Sequence, residues 1–494
     1  MSNLGRGSLI ISLGLFWQQA AVFLLGVVIA RSLGPEAFGV HSILKNLSLA
    51  LLFLTPLGLD LALLKHVRLL GGRSQEFELV YALCRVVVVG LNLLAVAVTF
   101  LWIGPLLESQ VFVFPAFSML LVVTLIGGIF AADLQLSSAV HRATELHVRY
   151  AVITNYGQPA LRLLLTIVAI ALGLGLPGVA WAGVAALALN VLVLEGMGRF
   201  PMQRLRLDAT ALKDAWRRAT TILREAVWMA FSLLLYGVMR FLDVLVVGNL
   251  VSVKAAGEYA ALSSIAQVIQ IYPTAMSQTL GAEIATMYAA GDVGAIRDVL
   301  RRYVRLAALV AGYLAAGVAV FGTQLDLLFG PEFQFTSTLS VLLAVGWFVS
   351  GVLSPLGYAL SMTGRHRTET LILGGSVVVT VLLLIYLTTV FGAAGAALAV
   401  AVGFGITNFA RCLAVREVLG GLPLQFANLL PLLVFLSIGY GVRAVASTIE
   451  RSLPLLVLEC CIFTVLCAGA AFLLFANSEQ RTRLTTALTR RWRT

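Results

Sequence analysis

Four basic side chains stand where water should be scarce. Lys45, Arg85, Arg162 and Arg240 fall inside long apolar runs, and a base at the centre of a membrane helix costs roughly 2.5–3.5 kcal/mol on insertion scales. Bases kept there reach water, a partner or an interface, and those that reach water can bind an anion. Arginine suits that chemistry because its planar fork gives bidentate hydrogen bonds to phosphate or carboxylate. Arg162 lies one turn after Pro159, deep in its run, and Lys45 sits beside Asn46 in the outer part of another. Both are read as facing a hydrated cavity. Arg85, about two turns from its helix end, is read as snorkelling to the interface. Arg240 precedes Asp243 by three residues, a spacing open to either a local ion pair or a guanidinium turned toward substrate.

Carboxylates in the same runs could carry a coupling proton or sodium ion. The candidates are Asp60, Asp133, Asp243 and Glu283; capping, or pairing with Lys65 or Arg142, competes with that role for Asp60 and Asp133. The amides Gln18, Gln19, Gln267, Gln270 and Gln278, with Trp17 and Tyr272, offer hydrogen bonding and stacking suited to sugar, although glutamine also links helices in membranes. No catalytic constellation accompanies them. The chain has no GxxxxGK[ST] loop and no HExxH, and His41, His66, His141, His147 and His366 are scattered over loops and helix ends. Cys84, Cys412, Cys460, Cys461 and Cys467 show no CxxC spacing and are read as packing or lipid-facing residues. Neither an enzyme, a metal nor a cofactor is expected.

The elements that must position these groups are membrane helices. Hydrophobic residues make up 60% of the 494 positions and charged residues 12%, against about 25% charge in a soluble domain, and the mean hydropathy is +0.98. Runs long enough to cross a ~30 Å hydrocarbon core lie near 8–30, 38–64, 79–101, 114–136, 151–173, 177–197, 226–248, 256–286, 304–323, 336–362, 370–391, 393–415, 428–447 and 454–476. The first exceeds the roughly 7–15 residues of a signal-peptide core and is read as a retained helix.

Charge gives the orientation. With the N-terminus inside, Arg31, Lys254, Arg443 and Arg451 fall outside and four bases lie within spans, leaving the other 26 of the 34 Lys and Arg on the cytoplasmic side. That asymmetry places both termini and the loop 199–225 in the cytoplasm. The net charge of +11 then meets anionic lipid head groups, and nucleic acid is not needed as a partner. Within the loop, Asp208 can cap a helix whose Leu212, Trp216, Ala219 and Leu223 share one face, either lying on the inner membrane surface or forming a solvated linker.

Shifted by 217 or 218 residues, the chain resembles itself. AFGVHS at 37 to 42 comes near AGEYAA at 256 to 261, Pro56 meets Pro273, and PGVAWAGVAAL from 177 meets AGAALAVAVGF from 394. The expected architecture is all-α, with about 14 transmembrane helices. Two same-orientation six-helix lobes, 1–200 and 226–417, surround a central cavity, joined by the cytoplasmic amphipathic linker 201–225. Helices 13 and 14, at 428–476, and a basic cytoplasmic tail, 477–494, follow. Such lobes can rock to expose the cavity to either side. Pro56 and Pro273 are the hinge candidates, and Pro159 and Pro355 also interrupt spans.

A family resemblance rests on particular stretches. The run ARSLGPEAFGVHSILKNLSLALLFLTPLGLDLALLK, 30 to 65, resembles the opening signature of the Wzx-type polysaccharide flippases of the multidrug/oligosaccharidyl-lipid/polysaccharide exporter superfamily. RFLDVLVVGNLVSVKAAGEYAAL at 240 to 262, PLGYALSMTGRHRTE at 355 to 369 and FGAAGAALA at 391 to 399 extend the likeness along the chain. The resemblance implies a bacterial inner-membrane protein that moves a polyprenyl-pyrophosphate-linked oligosaccharide to the outer leaflet for exopolysaccharide, capsule or O-antigen assembly. Polysaccharide polymerase and export machinery are further implied partners, and proton or sodium coupling the implied energy source. A basic cavity would hold the pyrophosphate, for which Lys45, Arg162 and Arg240 are placed, with Arg31 near the outer mouth.

Other classes remain open. A cation-coupled multidrug exporter of the same superfamily would line its cavity with acids and aromatics, and a peptidoglycan-precursor flippase is a nearer variant. A membrane enzyme such as a polymerase or ligase would need reactive groups in a sizeable outer loop, and the sequence offers none.

Overall fold

Glycine and proline decide where this helical chain turns. The computed structural model describes residues 3–54, 59, 63, 75–112, 114–143, 151–197, 209–421 and 426–475. Pro56, Asp60, the start of the linker and the basic tail lie outside the described residues, as do some side chains within them, those of Arg240 and Gln278 included. The described residues form helices and no strand. In chain order the principal helices are α1 (Asn3–Leu54), α2 (Gln75–Val98), α3 (Phe117–Ala143), α4 (Gln158–Ala171), α5 (Gly175–Met197), α6 (Ala209–Leu250) and α7 (Val253–Ala266). There follow α8 (Ile271–Ala289), α9 (Val293–Phe321), α10 (Ser337–Leu353), α11 (Pro355–Met362), α12 (His366–Leu419), α13 (Leu430–Ala446) and α14 (Leu453–Ala470).

Two of these contain two limbs each. α1 breaks at Gly34 (φ 80°, ψ 175°) and α12 at Gly392 (φ 60°, ψ −143°), conformations open to glycine and strained for any L side chain. Pro35 then opens the second limb of α1, at a position where its missing N–H costs nothing. Gly175, 217 positions before Gly392, also has positive φ, at 56°. Likewise Asn190 in α5 and Asn408, 218 positions later in α12, are both buried, each donating to the carbonyl four residues earlier, Ala186 and Phe404.

Among the described residues, nine helices are long and apolar enough to cross a membrane. The glycine breaks turn two of them into paired limbs. The expected span 151–173 is interrupted by a π turn at Val152–Gly157, and 256–286 by a 3-10 turn at Gln267–Gln270. Large apolar side chains stay exposed on the helices, Trp102 at 71% and Leu371 at 76%, as lipid rather than water as solvent requires. The protein is a multi-pass helical membrane protein consistent with the expected fourteen spans.

The chain divides into two compact units. The first comprises Met1–Ala261 with Val381–Ala396, the second Leu262–Thr380 with Ala397–Thr494. In the first unit, Phe77, Val80, Cys84 and Val88 of α2 and Ala132 and Leu136 of α3 bury one core with Ala215, Ala219, Ile222 and Ala226 of α6. The linker helix therefore runs unbroken into the following span. Its buried face is set by packing on α2 and α3, while Trp216, expected on the apolar face, is 55% exposed beside exposed Lys213, Arg217 and Arg224.

Among the described residues the second unit shows two cores. Leu280 and Ile284 of α8, Ile296 and Leu300 of α9, Leu356 and Leu360 of α11 and Cys412, Val415 and Leu419 of α12 form one. In the other, α13 and α14 pack on α9 through Phe435, Leu456 and Phe463 against Ala316, Val320 and Phe321. The Phe463 ring stacks on Tyr313 with centroids 5.4 Å apart. A buried carboxylate pins the same three elements: Glu459 accepts from Arg443 of α13 at 3.2 Å and from Gln324, just past α9, at 3.1 Å. The sequence reading passed over Glu459 because its partners lie 16 and 135 residues away.

Candidate functional site

The first unit brings three bases into one neighbourhood. His41 and Lys45 lie four residues apart on the second limb of α1, one above the other on a helix face, and His41 is within electrostatic range of both Lys45 and Arg162. Arg162 is half-buried on α4. Its guanidinium rests over Gly183 of α5, where a methyl group would stand 3.8 Å from Nε and Nη2. No carboxylate of a described residue acts on Arg162. Lys45 is exposed and Arg31, before the Gly34 break, is exposed as well. His41 was missed in sequence because it was counted among scattered histidines; its spacing to Lys45 was the available signal.

The backbone departs from regular α-helix just before Arg162. The π turn at Val152–Gly157 leads into Pro159, which cannot donate to the preceding turn. The Tyr156 carbonyl in that turn accepts from the indole N–H of Trp17, on the first limb of α1, at 3.2 Å. Gln18 beside it is half-buried and Gln19 exposed. Single π turns recur at functional sites in helices. Here the turn places an aromatic and amide group on the same helices as the basic cluster.

Elsewhere in the first unit two buried carboxylates, Asp133 and Asp243, have partners among the described residues. Arg85, expected to snorkel, holds Asp133 through two hydrogen bonds of 2.5 and 2.6 Å and reaches Glu195 at 2.6 Å. Asp133 thus pairs with Arg85; the side chain of Arg142, the partner expected from sequence, lies outside the described residues. The Tyr81 hydroxyl shares a 2.8 Å hydrogen bond with Ser137 one turn further along. Asp243 is buried on α6, takes the Tyr259 hydroxyl of α7 at 2.8 Å on one oxygen and accepts from the Val244 amide at 2.8 Å on the other. Arg240 lies on the same helix.

The second unit holds the remaining candidates. Gln267 and Gln270 bound the 3-10 turn between α7 and α8, both half-buried, and Gln270 donates to the Ser350 hydroxyl of α10 at 2.7 Å. Tyr272 is half-buried and Pro273 buried at the start of α8, while Glu283 is exposed. Gln270 is thereby a helix link. Among the described residues no group of His, Cys, Asp and Glu could hold a metal ion.

The comparisons with known proteins follow the same lines. The fold matches a structure of the lipid II flippase MurJ in an inward closed conformation with a TM-score of 0.72 at 12% identity, covering 94% of this chain and 99% of that one. It also matches a multidrug resistance MATE family transporter of the MOP superfamily. The inward-facing structure gives a TM-score of 0.59 at 14% identity over 82% of this chain and 94% of that one. The outward-facing structure gives 0.56 at 16% identity over 84% and 96%. At such identities the fold alone is shared. No curated protein matches the sequence. Residues 4–280, more than half of the chain, match the family described as polysaccharide biosynthesis protein, and the chain belongs to that family.

Proposed function

We propose that this protein is a flippase that carries a polyprenyl-pyrophosphate-linked oligosaccharide from the inner to the outer leaflet of the bacterial inner membrane. It works by alternating access, supplies polysaccharide assembly, and has both termini in the cytoplasm. The observation that carries the reading is the basic cluster of His41, Lys45 and Arg162 on membrane helices of a chain in a polysaccharide biosynthesis family. An unpaired guanidinium at such depth is costly unless water or an anion meets it. A pyrophosphate supplies two anionic centres that a bidentate arginine and a neighbouring ammonium can hold together.

Roles follow from the chemistry of each group. Arg162 and Lys45 hold the pyrophosphate or an acidic sugar, Arg240 and Arg31 extend the basic path, and Trp17, Gln18 and Gln19 contact glycan. Gln267 and Tyr272 contribute sugar contacts from the second lobe, with Gln270 offering its carbonyl oxygen while its amide N–H holds Ser350, and Asp60, Asp243 or Glu283 carries a coupling proton or sodium ion. The lobes are the repeats 1–200 and 226–417, supported by the matched glycines Gly175 and Gly392 and the matched asparagines Asn190 and Asn408. Pro56 and Pro273 serve as hinges.

Deleting the gene tests this directly. Lipid-linked oligosaccharide should accumulate on the inner leaflet while surface polysaccharide disappears. Unchanged lipid-linked pools with new drug sensitivity would instead mark a multidrug exporter. A second reading, a flippase for the peptidoglycan precursor lipid II, draws on the fold shared with MurJ over 94% of the chain; it predicts arrested cell-wall synthesis on depletion.

A further inference from the structure

Two helix beginnings in the first unit cross with their backbones touching. Pro35 opens the second limb of α1 after the Gly34 turn. Val253 opens α7, where the Ser252 hydroxyl accepts from the Ala255 amide at 3.0 Å and caps the first turn. Four residues into each helix stands a glycine. A methyl group at Gly39 would fall on the Val253 carbonyl oxygen and stand 3.1 Å from the Gly257 nitrogen; one at Gly257 would fall on the Pro35 carbonyl oxygen and stand 2.9 Å from the Gly39 nitrogen. The hydrogen that replaces each methyl is therefore aimed at the other helix's carbonyl, a weak C–H···O contact.

The contact is reciprocal. Adding 218 carries Pro35 to Val253 and Gly39 to Gly257, so each helix presents equivalent positions to the other, as at a two-fold interface. The surroundings are dry: Pro35, Gly39 and Gly257 are buried, and Val40, Ala256 and Tyr259 have no exposure. Nearby, Ile43 fills the space over Gly248, and the Asn46 amide donates to the Phe241 carbonyl at 3.4 Å.

We propose that this crossing is the closed outer gate of the transport path and that Gly39 and Gly257 are its latch. The inference rests on the flippase reading and its orientation, in which Arg31 and Lys254 face outward. Only residues without a side chain let the two helices meet, so one added carbon on either side separates them. A contact of glycine hydrogens on carbonyls is suited to repeated opening. Neither partner carries a charge or a strong hydrogen-bonding group that must be rehydrated when the helices part, as an ion pair would require.

The test uses the full chain with its five cysteines replaced by alanine, and single reporter cysteines at the crossing. Val40→Cys should react slowly with an impermeant maleimide added to intact cells. Adding Gly257→Ala, on the opposite helix, should raise that rate about tenfold by shifting the population toward the open state; Gly39→Ala should do the same for Ala256→Cys. Gly90→Ala and Gly374→Ala, where a methyl meets nothing within 4 Å, should leave both rates unchanged. Parental rates in both latch variants, with the protein monodisperse and at normal levels, would overturn the latch.

If both variants are lost from the membrane, Val40→Cys with both glycines intact still decides. Labelling that is equal in substrate-supplied and substrate-starved cells overturns the gate, and labelling that rises with supply supports it. A response to Gly257→Ala seen only in inside-out vesicles keeps the latch and overturns the orientation. A normal latch response in a strain whose lipid-linked pools never change keeps the latch and overturns the flippase reading.

Discussion

Within the first unit, two arginines on membrane helices meet opposite surroundings. Arg85 is wrapped by acids: Asp133 takes two of its hydrogen bonds and Glu195 a third contact. Arg162 lies within electrostatic range of His41, which is also in range of Lys45, and no described carboxylate acts on it. The second unit repeats the first solution, where Arg411 binds Glu369 at 2.5 Å and Arg443 binds Glu459 at 3.2 Å. An arginine whose charge is cancelled inside the protein holds helices together. One whose charge is left for something else must meet water or an anion, and no described residue supplies that anion to Arg162. The difference separates structure from function better than depth or residue type does.

Removing one member from each group should therefore produce different failures. The largest expected effect is on stability at the matched site. Arg85→Ala leaves the Asp133 carboxylate, whose side chain is 7% exposed, without its partner. A broken buried pair costs roughly 3–5 kcal/mol, and the 30% exposure of the Arg85 side chain puts the expected loss at the lower end. Thermal unfolding in detergent should show it as a lowered midpoint and reduced membrane level. The combined change Arg85→Met with Asp133→Leu should recover most of the midpoint, since apolar replacement of a whole buried pair is often neutral. A double variant as unstable as the single one would show that Glu195 or packing, not the pair, governs the site.

Arg162→Ala should spare stability and abolish function. Losing a bidentate, charge-assisted contact removes on the order of 2–3 kcal/mol, about a hundredfold in export. Arg162→Lys should restore little, because an ammonium cannot reproduce the fork. Polysaccharide export at equal membrane level is the measurement. A midpoint that falls as far as in Arg85→Ala, with export intact in the surviving protein, would move Arg162 into the structural class and erase the contrast.

The sequence reached the helices because lipid imposes a length, and runs of that length are visible without any partner. It singled out Lys45 and Arg162 because the cost of a base in hydrocarbon is a property of the residue and its depth. It misplaced Arg85, because Asp133 and Glu195 stand 48 and 110 residues away and only packing of α2, α3 and α5 brings them in. The same limit hid Tyr259 as a partner of Asp243, 16 residues on, where the spacing to Arg240 was the visible signal. Part of the linker's buried face was hard to read for a related reason. Small residues such as Ala215 and Ala219 carry little hydrophobic signal, yet they are what lets α6 lie close against α2. Breaks at Gly34 and Gly392 were legible only as span boundaries, since a sequence shows that glycine is present but not that its φ is positive.

His41 tests the contrast most finely, because nothing about a lone histidine in a helix marks it as a ligand. Its place does: it stands four residues before Lys45 and within electrostatic range of Arg162, with the Phe38 ring 6.4 Å away. An imidazole N–H can donate to a phosphate oxygen whichever nitrogen carries the proton. One such neutral bond contributes about 1 kcal/mol, so His41→Ala should lower export about fivefold while leaving the unfolding midpoint where it was. His41→Gln, which keeps a donor at similar reach, should return most of that loss. The opposite pattern, a lowered midpoint with full export and no rescue by Gln, would mean that the imidazole packs against Phe38 as a structural residue. The basic neighbourhood would then shrink to Lys45 and Arg162, and proximity to an unmatched arginine would no longer suffice to identify a ligand.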